Sequence, residues 1–250
     1  MDYVVKLPKY ITRGEIYLRN PRSIRLTAQD LRANNLSVDP PPPDSLFMRL
    51  WNACYNIAEQ TLNTDFIKGI HHNSLDPVKY GGSNVCDAYY CFKGANSYLA
   101  AASRADDPVL KAFLLKKYQS YEKYNQVFPT IWHIRDAASV VPMEINIKYA
   151  QLEADVASHY DPIMCLVVML PCEYLWYWLS DRMYPPDPSN LYAPWINDNH
   201  YPDGAYAVGN YLETYQQVYG PIDYNSALAI YSAAMNCEKE SFAAATKSHT

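Results

Sequence analysis

Apolar residues in this chain recur at intervals of three and four far more often than they alternate, so the pattern predicts helices. The longest run, about Pro162 to Met183, carries Ile163, Leu166, Val167, Leu170, Trp176 and Leu179 on more than one face, as a central helix does. Pro171 lies inside it, lacks an amide donor and crowds the carbonyl of Val167, so a kink is expected there, beside Cys172. Asp161-Pro162 opens this helix and Tyr184-Pro-Pro-Asp-Pro188 ends it. Upstream, Asp44-Ser45 reads as a helix start before Leu46, Leu50, Trp51, Cys54, Ile57 and Ala58. The stretch from Asn63 reads as leading into a loop that closes near Pro77, and a second helix runs through Tyr80, Val85, Asp87, Tyr90, Phe92 and Tyr98. Asp107-Pro108 opens a third, to about Phe128; another spans Glu144 to His159, and two more cover about 205–219 and 223–246. The fold class is all-α.

Asp39-Pro40-Pro41-Pro42-Pro43-Asp44 is extended polyproline and divides the chain into an arm, 1–43, and a helical body, 44–250. Residues 1–38 hold seven Lys and Arg against three Asp and Glu, whereas the whole chain is at -5. Such an arm is a solvated or self-docking segment, or else an anion-binding one. The overall charge offers nucleic acid and anionic membranes no general attraction, and no partner of either kind is expected. No uncharged apolar window is long enough to cross a membrane, and the start, Met1-Asp2-Tyr3, lacks a signal-peptide core, so a cytoplasmic protein is expected. The six cysteines, unpaired in spacing, read as free thiols. The 24 tyrosines against 6 phenylalanines call for phenol partners in the interior.

Few residues suggest chemistry on their own. Cys172 is read either as a small buried apolar residue, as most free cysteines are, or as a thiol facing the space beside a kink. Asp87 sits three residues before Tyr90; a lone helical Asp usually faces solvent, but its neighbours Val85, Cys86, Ala88, Tyr89 and Phe92 also allow a buried, partnered carboxylate. Glu238 alone reads as a surface charge. The six histidines show neither HExxH nor Cys-x-x-Cys spacing, and there is no inward Glu-x-x-His pair, so no metal and no cofactor is expected. GxGxxG, GxxxxGK and GxSxG are likewise absent from the sequence.

Three segments together carry a resemblance. They are Phe66-Ile-Lys-Gly69-Ile70 followed by Cys86-Asp87-Ala-Tyr-Tyr90; Leu170-Pro171-Cys172 with a Tyr/Trp cluster and then Tyr192-Ala-Pro-Trp195-Ile196; and Glu238 four residues before Phe242. In order and spacing, over about 45–246, they resemble TenA, the thiaminase II group of the heme-oxygenase-like fold. The resemblance implies a multi-helical bundle enclosing an aminopyrimidine pocket. Cys172 would be the nucleophile, Asp87 would hold the ring nitrogen and amine, and Glu238 would move protons. Tyr90, Tyr149, Trp176, Tyr177, Asn199 and Phe66 would line the substrate. A small-molecule substrate and a homo-oligomer are expected.

The sequence departs from the family pattern at the pocket wall. Trp176 and Asn199 stand where the family often has tyrosine, and Cys86 precedes the aspartate in place of glutamine. Three readings follow: a hydrolase of thiamin or an aminopyrimidine, a relative redirected to another substrate in specialised metabolism, and a binding protein that keeps the cavity. Cys172, Asp87 and Glu238 together favour an enzyme, and the altered wall favours the redirected relative.

Overall fold

The computed structural model describes residues 37–247. Residues 1–36, most of the expected arm, lie outside them. The described residues are helical with no strand, an all-α fold. Its helices are α1 (Leu46–Ala53), α2 (Tyr55–Leu62), α3 (Asp65–His71), α4 (Pro77–Arg104), α5 (Pro108–Asn125), α6 (Glu144–His159), α7 (Met164–Asp181), α8 (Ala193–Asn199), α9 (Asp203–Tyr219) and α10 (Tyr224–Ala244).

Short polar side chains fix half of the starts. Ser45 Oγ accepts from the Met48 amide at 3.3 Å, Asp76 Oδ1 from Val78 at 2.8 Å, Asp107 Oδ1 from Leu110 at 2.6 Å and Asp223 Oδ1 from Ser226 at 2.8 Å. Prolines at the first helical position, Pro77 and Pro108, sacrifice only an amide that no helical partner could take. The stretch from Asn63 that leads into the expected loop is itself helical, as α3. Thr64 Oγ1 caps it through the Ile67 amide at 3.5 Å, and Phe66, Ile67 and Ile70 are buried on its inner side. The first expected helix is divided at Cys54, whose φ of -107° leaves the helical range. The third ends at Asn125, and a wide turn, Phe128–Trp132, occupies the residues beyond. α8 adds a helix that the apolar pattern does not announce.

α7 is the axis of the bundle. From Met164 to Ser180 every residue but Tyr177 is buried, and the helix runs on through Pro171, which is itself inside. α4, α6, α8, α9 and α10 pack around it, α4 also holds α5 and α6, and α10 crosses to α2. A buried ion pair ties α5 to the axis, with Lys117 Nζ 2.5 Å from Glu173 Oε1. Gly204 at the start of α9 makes room for the other Glu173 oxygen, since a Cβ there would lie 2.6 Å from it. The proline stretch lies on the body: Val38 and Pro41 are buried, and Asn210 Nδ2 on α9 donates to the carbonyls of Ser37 and Asp39 at 3.2 and 2.8 Å. Pro41 and Phe47 both press on Gly209, where a Cβ would stand 2.7 Å from the Phe47 ring.

Candidate active site

A cavity of about 30 Å³ lies between α4, α6, α7 and α10, lined by Ser83, Cys86, Asp87 and Tyr90, by Met143, Asn146 and Tyr149, by Trp176, and by Glu238, Ser241 and Phe242. α4 delivers its residues from one face, since positions three and four apart share a side of a helix. The same periodicity aligns Asn146 with Tyr149 on α6 and Glu238 with Ser241 and Phe242 on α10.

Glu238 organises the polar part. Its side chain is buried, Tyr149 Oη donates to its Oε1 at 3.2 Å, and Trp176 Nε1 donates to its Oε2 at 3.0 Å. An indole N–H can only donate, so Trp176 does more than fill volume: it holds one oxygen of the carboxyl in place. Its ring is wedged between Trp195 and Phe242, with centroids 5.4 and 5.0 Å away. Asp87 is half-buried and takes a hydrogen bond from Tyr124 Oη at 3.4 Å. Tyr90 and Tyr149 lie ring against ring at 4.7 Å. Burial raises both phenols well above their ordinary range, and the Cys172 sulfur acts on each in the same direction. Cys172 is buried, four residues before Trp176 on α7, and so lies one turn from the cavity wall on the side of the two tyrosines. Asn146 Oδ1 and Ser241 Oγ, both on the lining, have no hydrogen-bond partner among the described residues. They are free to receive or orient a polar ligand.

The structure therefore brings Asp87, Tyr90, Tyr149, Trp176 and Glu238 to one cavity. Cys172 is buried one helical turn from Trp176, near enough to act on the Tyr90 and Tyr149 phenols, but is not itself on the cavity lining. It puts the remaining expected site residues elsewhere. Tyr177 projects among Tyr174, Tyr206 and His200, toward α9. Asn199 is buried but turned to its own helix, its Nδ2 donating to the Trp195 carbonyl at 2.7 Å. Phe66 backs the wall at one remove, packed on Phe242 at 5.7 Å and on Tyr80 at 6.5 Å. Asn146 and Ser241 escaped sequence reasoning, although their helical register with Tyr149 and Glu238 would have found them. No group of His, Cys, Asp or Glu among the described residues is arranged to hold a metal ion.

No family model and no curated protein matches the chain by sequence. Solved structures do match it. A TenA family transcription regulator from Silicibacter sp. TM1040 superposes with a TM-score of 0.71 at 14% identity, over 82% of this chain and 97% of the other. A TenA homologue from P. horikoshii OT3 gives 0.69 at 17%, over 80% and 98%. A protein described as a TenA-like thiaminase, from Sulfolobus solfataricus P2, gives 0.63 at 18%, over 79% and 94%. Nearly the whole of each of those chains is thus matched by the helical body of this one, which has the fold of the TenA homologues.

Proposed function

We propose that the chain is a TenA-like hydrolase that uses the Cys172 thiol on a small, planar, amino-substituted nitrogen heterocycle. The observation that carries this reading is the convergence of Asp87, Tyr90, Tyr149 and Glu238 on one cavity, with Cys172 one helical turn from Trp176 and near enough to act on both tyrosine phenols. These groups come from four helices far apart in sequence, and an acid, a hydrogen-bond acceptor and a thiol serve no common purpose unless a substrate joins them. In this scheme the sulfur adds to a ring carbon as its proton passes to the Glu238 carboxylate. The electrons displaced through the ring expel a substituent from an exocyclic methylene, and Glu238 hands that proton to the leaving group. Glu238 then takes a proton from the water that adds to the methylene, and the ring electrons return to expel the sulfur as thiolate, which Glu238 reprotonates. Asp87 accepts hydrogen bonds from the ring's N–H groups.

The redirected relative is a second reading, favoured by Trp176. With the indole bonded to Glu238 the cavity is about 30 Å³, too small for a heterocycle as it stands, so a ring must displace lining side chains, Trp176 among them, or use a different outline of the pocket.

Turnover of thiamin and of an aminomethyl-aminopyrimidine by the full-length protein, beside its Cys172→Ser variant, tests the reading. Activity lost in Cys172→Ser, with an unchanged melt, and kept in Cys165→Ser is the expected result. Substantial turnover by Cys172→Ser would overturn it.

A further inference from the structure

Behind the two tyrosines lies a carboxyl to which the scheme above gives no task. Glu153 is on α6, one turn beyond Tyr149, with no exposed surface, and neither of its oxygens has a hydrogen-bond partner. A buried carboxylate without donors is among the costliest groups a protein can hold, so Glu153 stays a neutral acid. Burial is the main reason that its pKa is raised well above the ordinary range. The Tyr90 phenol opposes the shift, and the Glu238 charge adds to it. The titratable groups that face it come from every neighbouring helix: Tyr90 and Tyr98 on α4, Tyr149 on α6 itself, Cys165 on α7, and Glu238 and Cys237 on α10. None of these is a lysine or an arginine. Both Glu153 and Cys172 act on the phenols of Tyr90, Tyr98 and Tyr149, and of these three Tyr90 is the one that approaches the Glu153 carboxyl as a hydrogen-bonding group. Its own oxygen also lacks a closed hydrogen bond, although the phenol is near enough to the Glu153 carboxyl to oppose the rise of its pKa.

We propose that Glu153 is a positioning residue for Cys172: as a neutral acid it donates to the Tyr90 oxygen, which turns the Tyr90 O–H toward the sulfur. The polarity of the pair follows from proton counting. A carboxylic acid can donate one hydrogen, and the phenol that accepts it keeps its own hydrogen for the thiolate. An ionised Glu153 can only accept; it captures the Tyr90 hydrogen and takes a donor from the sulfur. The thiolate is the reactive form, so the proton on Glu153 sets how much nucleophile is present. This rests on Cys172 being the nucleophile, but its test needs no substrate.

The far-ultraviolet thiolate absorbance of the full-length protein, less that of its own Cys172→Ser partner, follows Cys172 against pH without a reagent having to reach the buried sulfur. Glu153→Leu should move thiolate formation up by about one pH unit, a roughly tenfold smaller thiolate fraction at neutral pH, the worth of one charge-assisted hydrogen bond. Glu153→Gln keeps an N–H donor for Tyr90 and should restore the wild-type position. In a Tyr90→Phe background neither change at Glu153 should move it further, which a merely structural role for Glu153 would not produce. Coincident titrations in wild type, Glu153→Leu and Glu153→Gln would overturn the proposal, and so would a shift that persists in Tyr90→Phe. If Glu153→Leu does not fold, Glu153→Gln alone decides: a thiolate titration displaced as far as that of Tyr90→Phe overturns it. None of these outcomes bears on whether Cys172→Ser retains turnover, so this proposal and the hydrolase reading fail separately.

Discussion

Replacing Trp176 by Phe removes both things the indole does, the bond to Glu238 and part of the wall. Taking away the N–H leaves Glu238 Oε2 buried without the donor now 3.0 Å from it, a loss of about 1–3 kcal/mol for an orphaned acceptor. The five-membered ring also buries two carbons that Phe cannot replace, worth roughly 1–2 kcal/mol more by area. Together these come to about 2–5 kcal/mol, and for a chain of this size each kcal/mol lowers the melting temperature by about 2–4 °C, so the melt should fall by about 4–20 °C. The same change enlarges the 30 Å³ cavity on the side of Glu238. A heterocycle that the native wall excludes should then bind. In a thermal melt with and without an aminopyrimidine, Trp176→Phe should be the less stable protein alone and should gain more from the ligand. Were the variant to melt within about 1 °C of wild type, the indole bond would be contributing nothing measurable and the argument from Glu238 would fall. Strong stabilisation of wild type by the same ligand, with no increase in the variant, would show that Trp176 does not limit the pocket.

Lys117→Met removes the cation 2.5 Å from Glu173 in a buried pair, which should cost about 3–5 kcal/mol in a denaturant titration. Lys117→Met combined with Glu173→Gln should recover part of that loss, and a simple sum of the two single effects would refute coupling between them. Stability should also depend on pH through groups whose folded-state pKa is raised, Glu153 by burial first of all and Asp198, pushed up to about 6 by burial. The folded protein binds the extra protons, so this stability is complete below the unfolded carboxyl range and is lost as pH rises through the folded values. Between pH about 4 and 8 the melting temperature of Glu153→Gln should therefore fall less than that of wild type; parallel curves would show that Glu153 ionises no differently in the folded chain.

Much of the scaffold is visible in local chemistry. Asp107-Pro108, Asp223 and Ser45 cap helices through bonds spanning three residues, and such short-range signals survive without knowledge of the fold. α3 was missed because Lys68, Gly69 and His71 dilute its apolar face, and only tertiary packing on Phe66, Ile67 and Ile70 makes it helical. The sequence places Trp176 one turn from Cys172, but its bond to Glu238 spans 62 positions and no pattern announces it. Glu153 hid for a related reason. It stands between Leu152 and Ala154 on a helix that also carries Gln151 and Asp155, both exposed, and a reader of composition takes it for surface. Helical register gives the better answer, because Tyr149, Ala150, Val156 and Ala157 lie on its side of α6 and are all buried.

The distribution of buried charge says what the cavity can hold. Lys117 is the one buried lysine or arginine among the described residues, and it is committed to Glu173. Around the cavity and behind it stand Glu238, Glu153 and half-buried Asp87, acids on three different helices. A phosphate or carboxylate group brought here would meet acceptors on every side with no buried cation to balance it, a cost that an enclosed site magnifies. A neutral or cationic heterocycle rich in N–H groups would meet the reverse: carboxyl oxygens to accept its hydrogens and tyrosine rings to face its plane. The acids gathered on these helices are then what make an amino-substituted ring the favourable occupant.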